Sequence, residues 1–190
     1  MNSIKIKIEG LAALIQHNAQ MVNALNPWTK AMKKITGKQK KTEDDLEEMA
    51  RIEWMAGVYA NPAGNVIVTS DILEAAIRDA AKSCKRGAGK VVQQGVIVEK
   101  DMILDFPDKK KTIEDLCLVP EYTDYRNVRV QQARIIRTRP IFHQWGGEFT
   151  VLYQNIDKSD LVDYIKHAGM SVGICDYRPK YGRFAVVKVS

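Results

Sequence analysis

The chain has 190 residues, 45% of them hydrophobic and 27% charged, with a formal net charge of +6. A chain of this length buries roughly 70% of its unfolded surface as one domain, so it needs no covalent staple. No apolar run approaches the ~18 residues of a bilayer span, and the first ten residues lack the pattern of a secretory signal, so a membrane protein is excluded and a cytoplasmic location is expected.

Ile4, Ile6 and Ile8 alternate with Lys5, Lys7 and Glu9, the period of a half-buried strand that ends at Gly10. A lysine-rich stretch with Pro27 and Trp28 follows, and then Thr42-Glu43-Asp44-Asp45 opens a helix with Met49, Ile52, Met55 or Ala56, and Tyr59 at helical spacing. Asn61-Pro62 stops that helix and Ala63-Gly64-Asn65 makes a turn. Residues 66–68 form a short strand. Ser70 or Asp71 caps a second helix with Leu73, Ala76, Ile77, Ala80 and Cys84 on one face, which stops at Gly87-Ala88-Gly89. A strand is expected over 91–98, then a long polar excursion over 99–125, too long for a hairpin turn. Further strands are expected over 128–137 and, after a Gly146-Gly147 turn, 149–153. A third helix spans 160–168, stopped by Gly169, and a last strand 184–189. With 11–65 set aside as a helical insertion in a single domain, the order is β-α-β-β-α-β. The expected fold class is therefore α+β, with a ferredoxin-like core over 1–10 and 66–190 that carries the long excursion over 99–125.

The basic residues come in blocks. Residues 26–41 hold six lysines and no acid, 82–90 four basic residues and no acid, and 126–139 five arginines and no acid. Residues 176–190 hold four basic residues and one acid, so these blocks contain 19 of the 29 basic residues. If they converge, they make a face that attracts polyanions across a Debye length.

Nothing in the sequence signals catalysis, a metal site or a cofactor. His17, His143 and His167 are far apart, no phosphate-binding loop follows a strand, and the acids cluster on one helix as a solvated face would. Cys84, Cys117 and Cys175 are too few and too widely spaced for a disulfide framework or a C-x-x-C half-site. Arg134, Arg137 and Arg139, followed by Phe142 and Trp145, combine phosphate-binding guanidiniums with base-stacking rings, although core positions for the two aromatics are the stronger reading. Residues 176–184, with Arg178, Lys180, Arg183, Tyr177 and Tyr181 around Pro179 and Gly182, suit either a polyanion contact or a tight structural turn.

Residues 66–81 (VIVTSDILEAAIRDAA) resemble the strand, Ser-containing turn and first helix of the RAMP superfamily, in particular the backbone subunits that coat the guide RNA of CRISPR effector complexes. Residues 169–184 are similar to that family's glycine-rich loop. The resemblance implies an RRM-like core with an RNA groove along the sheet and first helix, head-to-tail stacking of copies, and a long thumb-like hairpin, for which residues 99–125 are the candidate. By position it implies contacts from Ser70, Arg78 and Lys82 and from Arg178, Lys180 and Arg183. Ala75-Ala76 stands where the family has glycine, and the loop after the first strand has Gln16, His17 and Asn18 but no aspartate, so RNA cutting is not expected. The combined expectation is a non-enzymatic, sequence-independent single-strand binder, RNA favoured over DNA. It would contact nucleic acid through Ser70, Arg78, Lys82, Arg134, Arg137, Arg139, Trp145, Arg178, Lys180 and Arg183, with other copies of itself or other subunits of a ribonucleoprotein complex as partners. The alternative is a protein-interaction module, such as a viral decoy or assembly factor, that presents its basic patches to an acidic partner.

Overall fold

The structure, a computed structural model, describes residues 1–130 and 133–190, with side chains at all of these except 130, 133 and 134. It is a mixed α+β fold with six α-helices and several antiparallel sheets among the described residues. The main sheet is four-stranded, ordered β4 (Val96–Val98), β8 (Gly146–Tyr153), β1 (Asn2–Gly10) and β9 (Phe184–Val189), every neighbour antiparallel. The alternation in β1 does what its period requires: Ile4, Ile6 and Ile8 are buried while Lys5, Lys7 and Glu9 face solvent. The buried side joins Leu73, Ala76, Ile77 and Ala80 of α3 (Ser70–Cys84) and Leu161, Tyr164 and Ile165 of α6 (Lys158–His167) in one apolar cluster. Each of these helices connects two parallel strands of the sheet across the antiparallel strand between them.

A second sheet holds β2 (Leu14–Ile15), β7 (Ala133–Phe142) and β6 (Thr123–Val130). Strands β6 and β7 form the long hairpin, with Arg126 opposite Arg137 and Asp124 opposite Arg139. A small ladder pairs β3 (Ile67–Val68) with β5 (Met102–Ile103). Within residues 11–65 lie α1 (Pro27–Thr36), capped by the Asn26 side chain, and α2 (Glu43–Gly57). A reciprocal capping box between Thr42 and Asp45 starts α2, reinforced by Lys38 at 2.6 Å from Asp45. This segment is more than an appendage. Trp54 is almost fully buried and donates its indole N–H to the Tyr122 carbonyl at 2.8 Å, and Leu14 enters the common core.

Three expectations about elements are corrected. The strand expected over 91–98 is mostly α4 (Ala88–Gly95), leaving only Val96–Val98 to the sheet. Gly95, the last residue of that helix, has no room for a Cβ, which would collide with the Gln154 carbonyl. The 99–125 excursion is not a protruding hairpin. It folds back through β5, α5 (Ile113–Cys117) and a 3₁₀ turn at Pro120–Tyr122, burying Leu104, Phe106, Leu116 and Tyr122. The long hairpin lies next in the chain, over β6 and β7. Finally, Gly146-Gly147 is no turn but the start of β8, where a Cβ at 147 would sit 2.7 Å from the Met102 sulfur. No helix among the described residues is long and apolar enough to cross a membrane.

Candidate nucleic-acid interface

Residues 171–183 are laid along the connection between β1 and β2 by backbone hydrogen bonds. Gly182 N–H donates to Ala13 O, Asp176 N–H to Ile15 O, and Leu11 N–H to Arg183 O, at 2.8–3.0 Å. Gly173 (φ 74°) and Gly182 (φ 69°) take left-handed conformations that reverse the chain, and Ile174 N–H donates to Gly182 O at 3.0 Å across the loop. Cys175 and Tyr177 are also left-handed, at φ 60° and 56°. For non-glycine residues this costs of order 1–2 kcal/mol each, a strain that clusters at functional sites. The loop thereby brings Asp176 and Tyr177 against β7 and His17.

His17 is placed by its neighbour. Gln16 is completely buried, donates through Nε2 to Ile67 O and accepts from Tyr59 N–H, each at 2.8 Å, which clamps the end of β2 to β3 and to Tyr59, two residues beyond α2. His17 thus emerges between two adjoining cavities. One, of about 610 Å³, lies beneath the hairpin and is lined by Glu53, Arg137, Arg139 and Tyr177 among others. The other, of about 160 Å³, is bounded by Tyr59, Ile72 and Ala75 of α3, Asp176 and Arg178. It opens past Asp176 and Arg178 into a shallower depression of about 540 Å³ next to Asp79. Together they form a groove from the underside of the hairpin to the flank of α3.

Electrostatics inside this groove differ from what the arginine-rich block suggests. Arg137 bonds Glu53 of α2 at 2.5 Å, and the other Glu53 oxygen accepts the Thr138 N–H at 2.9 Å. Arg139, 11% exposed, pairs with Asp176 at 3.0 Å and stacks 5.0 Å from the centroid of Tyr177. Arg126 makes two bonds to Asp124 and one to the Tyr181 hydroxyl, and lies over both Tyr177 and Tyr181 at 4.7 and 4.8 Å. These bonds hold Arg126 well above the usual guanidinium value. Partial burial, then the Arg139 charge, lower the His17 pKa against the opposing pull of Asp176, so its imidazole is neutral at neutral pH. Burial pushes the Cys175 thiol up to about 12.

Of the ten residues singled out from sequence, the fold brings Arg137, Arg139 and Arg178 into the groove, with Lys180 and Arg183 on the same loop as Arg178. Arg178, Lys180 and Arg183 have no carboxylate partner among the described residues; Lys180 lies over the Tyr181 ring at 5.8 Å and Arg183 donates to Pro179 O at 2.6 Å. Arg78 and Lys82 both pair with Asp79, at 3.6 and 3.2 Å, on the flank of α3 where the groove ends. Ser70 is not in the groove lining, and its N–H already donates to Asp101. Trp145 is a correction. It is 5% exposed with its indole N–H on Ala12 O, and it packs edge-on to Phe184, so it presents no face to a base; Phe142 is likewise in the core. The side chain of Arg134 lies outside the described residues.

Sequence reasoning missed Glu53 as part of the site, and it read Tyr177 as a stacking group of the 176–184 element without foreseeing its contact with Arg139. Glu53 looked like one more acid of a solvated helix; Met49, Ala56 and Gly57, apolar or small at helical spacing from it, were a signal that this side of α2 meets another element. The chain matches no protein-family model and is similar to no curated protein.

Proposed function

We propose that this protein binds single-stranded nucleic acid, RNA favoured, without sequence preference and without cleaving it, in the groove that runs from the hairpin to α3. The observation that carries this reading is the 178–183 turn: three cations with no carboxylate partner among the described residues, of which Arg178 lines the groove and Lys180 lies over the Tyr181 ring. Cations fix phosphates and aromatic rings take unpaired bases, a combination that suits single strands better than duplexes.

The sheet order β4-β8-β1-β9, with α3 and α6 over one face, supports a ferredoxin-like core. With the first-helix and loop resemblances, it supports a relationship to the RAMP superfamily. Head-to-tail assembly along the strand belongs to the same proposal. Its support is the opposition of exposed Lys30, Lys33 and Lys34 on α1 to exposed Glu43, Asp44 and Glu47 on α2, a polarity that a heterologous contact between copies can use.

Fluorescence anisotropy with labelled single-stranded RNA, single-stranded DNA and duplex, each at several salt concentrations, tests the reading. Single strands are expected to bind best, with a log–log salt slope of about −2 from three neutralised phosphates. Equal failure of all three ligands would refute it and favour a protein partner for the basic loop.

A further inference from the structure

The ion pair at the centre of the groove is in contact but not bonded. Arg139 Nη1 lies 3.0 Å from Asp176 Oδ2, yet neither of these buried atoms has a hydrogen bond among the described residues, and Arg139 Nε lacks one as well. Arg137 differs, because Glu53 accepts a hydrogen bond from it. A charge pair without aligned hydrogen bonds has given up water without recovering the bonds that water made, so it yields to a better-placed partner. One stands beside it. His17 lines both cavities that meet at this pair, the one under the hairpin with Arg139 and the small one with Asp176.

The charges that face His17 come from every element around it. Strand β7 presents Arg137 and Arg139, β6 presents Arg129, α2 presents Glu53, and the loop presents Asp176 and Arg178. Tyr59 and Cys175, also at the small cavity, are kept protonated at neutral pH by burial. Arginines outnumber carboxylates here, which disfavours an imidazolium at neutral pH and agrees with the lowered pKa of His17. Of the two carboxylates, Asp176 acts on His17 more strongly than Glu53 does.

We propose that His17 is a proton-operated exchange partner in this pair: in mild acid its imidazolium takes Asp176 from Arg139, and the released guanidinium adds one phosphate contact to the groove. The proposal rests on the single-strand reading above and adds a condition to it, that binding tightens in mild acid and takes up a proton. A phosphate on Arg139 stabilises the neighbouring imidazolium in turn, so strand and proton favour each other.

The full-length protein is titrated with a single-stranded 12-mer of uridine, whose bases do not ionise in this range, between about pH 7.5 and about pH 5.5 at several salt concentrations. Wild type is expected to bind about fivefold tighter at the acid end, with a log–log salt slope steeper by about 0.7, the increment of one more phosphate. His17→Asn, at an exposed position where folding is not at stake, is expected to remove most of both changes. Asp176→Asn, which leaves Arg139 with no carboxylate to give up, is expected to bind at neutral pH about as tightly as wild type does in acid. The His17 ring signal in proton NMR, followed without any strand, is expected to titrate at lower pH in Asp176→Asn than in wild type. A flat wild-type profile refutes the exchange while single-strand binding stands. So does a rise that persists in His17→Asn, or a His17 titration that Asp176→Asn leaves in place. Failure to bind at any pH refutes the single-strand reading, and the exchange with it.

Discussion

Gln16→Met tests whether one buried amide positions the groove. Gln16 has no exposed surface, and its two hydrogen bonds are made to backbone groups, Ile67 C=O and Tyr59 N–H. Methionine matches the length of glutamine but offers neither a comparable donor nor a comparable acceptor, so both backbone groups lose their partner. Each buried, unpaired group costs about 1–3 kcal/mol, and the better burial of an apolar side chain offsets about 1 kcal/mol of the total. The expected loss is about 1–5 kcal/mol in urea-induced unfolding, read as a lower midpoint at unchanged m-value. Gln16→Glu is the companion. It keeps an acceptor for Tyr59 N–H, but its carboxyl sits where burial raises the pKa, so the folded state binds the proton more tightly than the unfolded chain. Stability of that variant is therefore expected to be greatest below the ordinary carboxylate range and to fall as pH rises through it. A loss under about 1 kcal/mol for Gln16→Met, or no pH dependence for Gln16→Glu beyond that of the wild type, would refute the clamp.

Replacing Arg178, Lys180 and Arg183 together with Ala is expected to abolish about 2 units of the salt slope for single strands, whereas Arg137→Ala, whose charge Glu53 balances, leaves the slope within about 0.5 of wild type; salt-titrated anisotropy reads both. The bond from Lys38, then that from Thr42 N–H, holds the Asp45 carboxyl below its usual value. The folded state thus binds that proton more weakly than the unfolded chain, and Asp45→Asn is expected to melt below wild type at pH 7 and to converge with it as pH falls below the carboxylate range. At Gly182 the left-handed φ of 69° alone costs an alanine about 1–2 kcal/mol, and its Cβ would collide with the Ile174 carbonyl, so Gly182→Ala is expected to lower the melting temperature and weaken strand binding together.

The elements that sequence reading located well are those whose period and boundaries agree. The Ile4, Ile6, Ile8 alternation, the Thr42 capping box and the apolar face of Leu73, Ala76, Ile77 and Ala80 each specify an element without reference to the rest of the chain. Val91 and Val92 misled because a short apolar run of β-branched residues cannot be told from a short helix by periodicity; in the structure they belong to α4, with Val92 buried. The 99–125 segment misled because its apolar residues, Leu104, Phe106, Ile113, Leu116 and Tyr122, are spaced irregularly and find burial only in the assembled core. Within the groove, the cations were legible as blocks, but their partners were not. Glu53 and Asp176 lie 84 and 37 positions from the arginines they neutralise, and no local pattern links residues so far apart.

Hydrogen exchange of the full chain with and without a single-stranded RNA 20-mer tests the central claim most directly, because it asks where the strand lies as well as whether it binds. The groove account expects slowed exchange in residues 171–183 and 17–22 and along the flank of α3, with the lysine face of α1 changed less. Protection confined to α1, or none at saturating RNA, would contradict it.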